Sequence, residues 1–215
     1  STPSNSSAAS DVYKRQLYVS APKSKERRSA QTVLSEILEY LVRIVAPIIP
    51  FTADEVWGYL PANGRPSSVH ADTFLPEKEE HKDTALMERW ELLLNVRKDV
   101  TKALETARKE KVIGHSLDAS VRLVLPRNLA RDLEGYCDEL RSICIVSTME
   151  FVDEGQAEGG YESQDYPGLL VMVMPSPHPK CERCWVHDST VGQDREHPAL
   201  CKRCADIVKE LGLRH

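Results

Sequence analysis

Four cysteines near the C-terminus have the spacing of a metal site. They form two pairs, Cys181-x-x-Cys184 and Cys201-x-x-Cys204, and sixteen residues separate the pairs. Two such turns can supply the four thiolates of a closed tetrahedral site, which is the arrangement that structural Zn²⁺ prefers. We therefore predict one structural zinc ion per chain, bound by these four cysteines. Iron bound by four thiolates has the same geometry and is the chemical alternative.

Basic residues and one tryptophan close to these cysteines are candidates for contacts with nucleic acid. Basic side chains bind phosphates, and an exposed indole can stack on an unpaired base. The candidate residues are Lys180, Arg183, Trp185, Lys202 and Arg203, together with Lys109 and Lys111 near the end of a long helix. For Trp185 we favour packing as a lid on the cysteine turns over base stacking. For the basic residues, an ordinary solvated surface is an equally good interpretation.

The overall charge argues against a protein that binds polyanions non-specifically. With 28 basic and 33 acidic residues the net charge is −5, so any contact with nucleic acid has to be local. No apolar run approaches the ~18 residues that a membrane-spanning helix needs. Cysteines in a metal-binding pattern suit a reducing compartment, so we expect a cytoplasmic protein in which Cys137 and Cys144 are small buried residues.

Changes of composition divide the chain into four parts. Residues 1–16 are polar and of low complexity, and we expect them to be a non-native leader before a piece of a longer protein. Residues 17–114 have the pattern of a helical bundle, residues 115–175 that of a small α/β junction unit, and residues 176–215 that of a zinc-binding module. The predicted fold is therefore mainly α: a bundle, then the junction unit, then a four-cysteine zinc knuckle.

Apolar periodicity predicts the helices of the bundle. Helical spacing runs from Val33 to Val45 and again from Leu86 to Ala107, and a shorter helix is predicted to begin at a capping box that starts with Thr52. We predict that Trp57 and Trp90 lie in the core, because each belongs to an apolar helical face.

The alternation of apolar and polar residues, together with β-branched residues, predicts the strands of the junction unit. Residues Ala119–Leu125, Ile143–Phe151 and Leu169–Met174 have strand patterns, and Asn128–Ser142 has a helical one. No set of residues in the chain has the pattern of a catalytic triad, a phosphate-binding loop or a pair of catalytic carboxylates. We therefore expect no catalytic residue.

Several motifs resemble one family closely. The stretches are Leu17-Tyr-Val-Ser-Ala-Pro-Lys-Ser-Lys-Glu-Arg-Arg28, Ala46-Pro-Ile-Ile-Pro-Phe-Thr-Ala-Asp-Glu-Val-Trp57, Trp90-x6-Arg97, Lys102-Ala-Leu-Glu-x-Ala-Arg108 and Cys181-Glu-Arg-Cys184-Trp185. The first four resemble the anticodon-binding helical domain of bacterial isoleucyl-tRNA synthetases, and the last resembles the zinc module of that family. The stretch that ends at Trp57 is shared with valyl and leucyl relatives, so the cysteine pairs are what single out the isoleucine family.

The resemblance implies a function for the whole segment. The bundle and the zinc module would bind the anticodon stem-loop of isoleucine tRNA, through splayed bases and few charges. The complete enzyme would attach isoleucine to tRNA with ATP and Mg²⁺ in an N-terminal catalytic domain that these residues lack. The chain would then be a non-catalytic, monomeric C-terminal fragment.

Two other protein classes carry four-cysteine metal sites. A DNA glycosylase of the formamidopyrimidine type has a related finger, but Ala205 follows the last cysteine here, where that family usually has glutamine, and the Pro-Glu start of that family is missing. A rubredoxin-like electron carrier would bind iron and would not need a long helical bundle. Both stay open as alternatives until the metal and the fold are known.

Overall fold

The computed structural model describes residues 14–153, 155 and 159–212. Most of the predicted leader, residues 1–13, therefore lies outside the described residues. The chain forms two compact units, of which the smaller is Ser20–Asp83 and the larger contains the remaining described residues. None of the described helices is long and apolar enough to cross a membrane.

Two α-helices form the framework of the smaller unit. Helix α1, Lys25–Val45, is capped by Ser24, whose hydroxyl accepts the N–H of Arg27 at 3.3 Å. Helix α2, Pro50–Tyr59, begins two residues before Thr52 and has a proline at its first position in place of a side-chain cap. The predicted capping box is therefore wrong, because proline is already preorganised for the first helical turn.

Trp57 is the centre of the core of the smaller unit, as predicted. Its side chain is buried, and its indole N–H donates to the carbonyl oxygen of Pro66 at 2.9 Å. The guanidinium groups of Arg43 and Arg65 lie 4.6 and 4.4 Å from the ring centroid. Arg43 also pairs with Asp72 at 2.8 Å, so cation–π contacts and an ion pair connect the two helices to the following loop.

From Thr84 onward, the larger unit combines a long helix, a four-stranded sheet and three shorter helices, and its described residues 14–19 are helical as well. The helices are α3, Thr84–Lys109; α4, Arg127–Asp132; α5, Cys137–Cys144; and α6, Lys202–Glu210. The strands are β1, Ala119–Val124; β2, Thr148–Val152; β3, Tyr161–Glu162; and β4, Leu170–Pro175. The strand order is β2-β1-β4-β3, with β1 and β2 parallel and the other pairs antiparallel.

The C-terminal two-thirds of α3 pack on this sheet. Leu93, Val96 and Val100 belong to the same buried cluster as Val121 and Leu123 of β1. The structure therefore groups α3 with the sheet, whereas the predicted division at residue 114 placed it with the bundle.

The first turns of α3 lie outside this cluster. Trp90 is 39% exposed there, so its prediction as a core residue is wrong. The reason is that the apolar residues of α3 that pack on the sheet cluster begin at Leu92.

The segment between β1 and β2 differs from its prediction. Gly135, with φ of 81°, interrupts the single helix expected over residues 128–142, so that α4 and α5 are separate. Cys144 is buried as predicted, whereas Cys137 is half-buried and its thiol donates to the carbonyl oxygen of Met149 at 3.2 Å. The strand expected from Ile143 begins only at Thr148, because α5 continues to Cys144.

Candidate functional site

The four cysteines come together as predicted. Cys181 and Cys184 lie in a turn framed by a β-bridge between Lys180 and His187, and Cys201 and Cys204 lie at the start of α6. All four are buried, and their sulfur atoms lie within 4.8 Å of one another. The Sγ atoms of Cys184 and Cys201 are 3.8 Å apart. A tetrahedral Zn²⁺ with Zn–S bonds of about 2.3 Å requires sulfur atoms about 3.8 Å apart, so the cluster has the dimensions of a zinc site.

Backbone hydrogen bonds fix the two cysteine turns. The N–H of Trp185 donates to the carbonyl oxygen of Cys181 at 2.8 Å and closes the first turn. The N–H of Cys201 donates to Sγ of Cys181 at 3.3 Å and so connects the second turn to the first. A metal ion would therefore meet ligands that the backbone already holds in place.

The pKa values of the thiols in the cluster depend on the hydrogen bonds between them. Hydrogen bonds from Cys184 and Cys201 lower the pKa of Cys204 to about 3, and the bonds to Cys184 and Cys204 raise the pKa of Cys201. Burial tends to lower the pKa of Arg203, but the nearby sulfur atoms of Cys184 and Cys204 outweigh it and raise that pKa. A divalent cation would displace the remaining thiol protons, and four sulfur ligands would leave no open position for a reacting water.

The cysteine cluster shares its core with the junction unit. Leu117, before β1, is buried in the same cluster as the cysteines, and Ile145 and Val19 pack against it. These contacts were missed, because nothing in the local sequence relates residues so far apart.

A polar network joins the same two regions. The hydroxyl of Ser147 donates to the carbonyl oxygen of Leu117 and accepts the N–H of His187 at 2.8 Å. Nε2 of His187 lies 3.3 Å from a carboxylate oxygen of Asp118. The predicted zinc module is therefore packed on its neighbour through both apolar and polar contacts.

Trp185 projects away from the cysteines. It is 57% exposed, so the interpretation as a packing lid is wrong. Lys180 places its ammonium nitrogen 5.4 Å from the centroid of the ring. The backbone of Trp185 has φ of 64°, a left-handed conformation that costs a bulky residue roughly 1–2 kcal/mol. An exposed aromatic side chain held at such a cost can serve as a stacking surface.

The other predicted nucleic-acid contacts lie on two elements. Lys202 and Arg203 are exposed in the first turn of α6, next to the cysteines. Lys109 and Lys111 are exposed at the end of α3. Arg183 differs from these residues, because its guanidinium donates to backbone carbonyl oxygens of residues 18 and 19.

Two protein families match the chain. Residues 6–123 match the family described as anticodon-binding domain of tRNA ligase. Residues 179–207, which contain all four cysteines, match the family described as zinc finger found in FPG and IleRS. The second family alone does not separate a glycosylase from a synthetase, but the first favours the synthetase.

The relatives of the chain are isoleucine–tRNA ligases. The chain is 48% identical over 200 residues to the isoleucine–tRNA ligase of Geobacter sulfurreducens, a match that covers 93% of the chain and 21% of the relative. It is 46% identical over 201 residues to that of Syntrophotalea carbinolica, with 93% and 21% covered, and 45% identical over 204 residues to that of Moorella thermoacetica, with 94% and 22% covered. The chain thus spans about a fifth of the length of these relatives.

These matches confirm the resemblance that the sequence motifs indicated. The anticodon-binding match extends over more than half of the chain and includes α1, α2 and α3. The finger match coincides with the sulfur cluster. The chain belongs to the family of anticodon-binding domains of tRNA ligases.

Proposed function

We propose that the chain is the tRNA-binding, C-terminal part of an isoleucine–tRNA ligase and recognises the anticodon region of isoleucine tRNA. The observation that carries the proposal is the occurrence of an anticodon-binding domain and a four-cysteine finger in one chain. In the complete protein, ATP and Mg²⁺ would act in a catalytic domain outside this segment. We further propose that the protein is cytoplasmic and monomeric.

The metal of the cluster is proposed to be one structural Zn²⁺, held by Cys181, Cys184, Cys201 and Cys204. Buried thiolates at tetrahedral spacing support zinc, and the finger family supports it independently. Metal analysis of purified protein should give one zinc per chain and no visible absorption. An iron centre would be coloured and would contradict this assignment.

The proposed RNA surface is centred on Trp185. Its exposed ring would stack on an unpaired base, while Lys180, Lys202 and Arg203 would contact neighbouring phosphates. Lys109 and Lys111 are proposed as additional phosphate contacts from the end of α3. A few local charges are enough for this mode of binding, which is consistent with a net charge of −5.

Filter binding with purified tRNAs tests the proposal. At one stated salt concentration, the 215-residue chain should bind isoleucine tRNA more tightly than tRNAs with other anticodons, because base contacts add to the phosphate contacts. Trp185→Ala should weaken binding by about 1–3 kcal/mol, which is roughly 5- to 150-fold. Trp185→Phe retains an aromatic face and is expected to retain most of the affinity.

The two parts of the proposal can fail separately. Equal affinity for every tRNA would contradict recognition of the isoleucine anticodon. If Trp185→Ala binds like the unchanged protein at equal zinc content, Trp185 is not a stacking surface. Lys202→Met should lower the salt dependence of binding by about one phosphate contact, whatever the tRNA.

A further inference from the structure

The guanidinium of Arg183 connects the cysteine cluster to a segment far away in the sequence. Its Nη1 donates to the carbonyl oxygen of Val19 at 2.8 Å and lies 3.5 Å from Sγ of Cys204. Its Nη2 donates to the carbonyl oxygen of Tyr18 at 3.3 Å. One rigid planar group thus binds two consecutive carbonyl groups and a sulfur atom of the proposed metal site.

The described part of the segment that Arg183 contacts is residues 14–19, which are helical. Val19 packs against the buried cluster that contains the four cysteines, so the segment docks next to the proposed metal site.

Metal binding would fix the sulfur side of this interaction. Zn²⁺ held by the four cysteines would keep Cys204 in position at the start of α6, and with it the sulfur atom that lies 3.5 Å from Nη1 of Arg183. Because this acceptor is then held in place, the metal-bound cluster favours the observed position of Arg183.

We propose that Arg183 is a positioning residue that couples metal binding at the four cysteines to the docking of residues 14–19. The inference rests on the zinc site proposed above and goes beyond it. Occupation of the site holds Arg183, and Arg183 holds the carbonyl groups of Tyr18 and Val19. Because such coupling is reciprocal, docking of the segment also raises the affinity for the metal.

Hydrogen–deuterium exchange of the zinc-loaded 215-residue chain tests the coupling. In Arg183→Met, amides of residues 17–22 should exchange at least about tenfold faster, while those of β1 should be unchanged. Competition with a chromophoric chelator should show a zinc affinity lowered by about tenfold, which is typical when a group that supports a metal ligand is lost. In the Co²⁺-substituted protein, the thiolate-to-metal charge-transfer band should shift, because one sulfur atom has lost its donor.

Two further variants separate charge from geometry. Arg183→Lys keeps a positive charge near the sulfur but cannot bind two carbonyl groups at once. Its zinc affinity should fall less than that of Arg183→Met, while residues 17–22 should still exchange rapidly. Arg203→Met removes the same charge beside the same thiols from α6. It should change zinc affinity without changing exchange at residues 17–22.

The outcomes distinguish this inference from the metal proposal. Unchanged exchange in both Arg183 variants, with zinc bound, would overturn the coupling and leave the zinc site standing. Failure of the unchanged protein to bind zinc or Co²⁺ would overturn both. If Arg183→Met does not fold, the exchange of residues 17–22 in zinc-loaded Arg183→Lys tests the coupling instead.

Discussion

Asp99 is fully buried on α3 although its side chain is a carboxyl group. One carboxylate oxygen accepts the hydroxyl of Ser163 at 2.6 Å, and the other lies 3.4 Å from the hydroxyl of Tyr161. The ammonium group of Lys102 lies 3.3 Å away and reaches the surface. A buried carboxylate is tolerated only when such partners compensate for the water that it has lost. Asp99 therefore connects α3 to the segment that contains β3.

Replacing Asp99 by asparagine tests this role. Asp99→Asn keeps the shape but removes the charge and places an amide group where an acceptor is needed. We expect the free energy of unfolding to fall by about 1.5–3 kcal/mol, the contribution of hydrogen bonds to a charged group. Urea unfolding of the zinc-loaded protein measures the change. Glu88→Gln, at an exposed position of the same helix, is the control and should unfold like the unchanged protein. Equal effects of the two variants would contradict the prediction.

The ends of two helices in the larger unit share one backbone motif. At the end of α3, the N–H groups of Lys111 and Val112 donate to the carbonyl oxygens of Arg108 and Ala107. This is the Schellman arrangement, and it places Lys111 in the left-handed region at φ of 61°, where glycine is usual. Helix α5 ends in the same way with Ile145 at φ of 57°. Ile145 packs against the cysteine core, which offsets the strain of a β-branched residue in this conformation.

Lys111 is exposed, so nothing comparable offsets its strain. Lys111→Gly should stabilise the protein by about 0.5–1 kcal/mol, because the relief of left-handed strain exceeds the additional entropy of glycine in the unfolded chain. Lys109→Gly, at the last residue of α3, should instead destabilise, by at most the roughly 1 kcal/mol that glycine costs inside a helix. Thermal unfolding of both variants measures the two signs. Destabilisation by Lys111→Gly would show that its side chain contributes more than its backbone costs.

The described part of the molecule contains three separate buried clusters. One surrounds Trp57 in the smaller unit, one lies between α3 and the sheet, and one surrounds the four cysteines. Only the last depends on the proposed metal. Removal of zinc should therefore unfold the C-terminal module and leave helix α1 intact.

Thiol alkylation at pH 8 measures this response of the whole molecule. In the zinc-loaded protein, metal shields four cysteines, and burial raises the pKa of Cys144 to about 12, so that its reactive thiolate is scarce. A strong chelator should add four alkylated cysteines, counted by mass spectrometry, while circular dichroism retains the signal of α1 and α3. Cys184→Ser should expose the three remaining cysteines of the cluster to alkylation without chelator. Unchanged labelling after metal removal would mean that the module is ordered without a metal.

Local sequence patterns predicted where most helices and strands lie, but not which other elements those helices and strands pack against. The periods from Val33 and from Leu86 located two long helices, because a helix imposes its spacing on any apolar face. The same periodicity cannot say what covers that face, and Trp90 lies on a part that the sheet does not cover. Asp99 could have been recognised, because it lies three residues after Val96 and four before Ala103, on the buried side of α3. An acidic residue is expected at the surface, and the two hydroxyl groups that compensate for its burial, on Tyr161 and Ser163, are more than sixty residues away.

The clustering of the four cysteines was predicted from the sequence alone, because two Cys-x-x-Cys turns each present a pair of sulfur atoms through local backbone geometry. The exposure and the contacts of the residues between these cysteines depend on the tertiary structure. Trp185 directly follows the buried Cys184, yet its own side chain is 57% exposed in the folded chain. Arg183 is a residue type that often contacts phosphate, but its partners are backbone carbonyl groups up to 165 residues earlier in the chain. A contact over such a distance leaves no periodic or spaced signal, so only the folded chain reveals it.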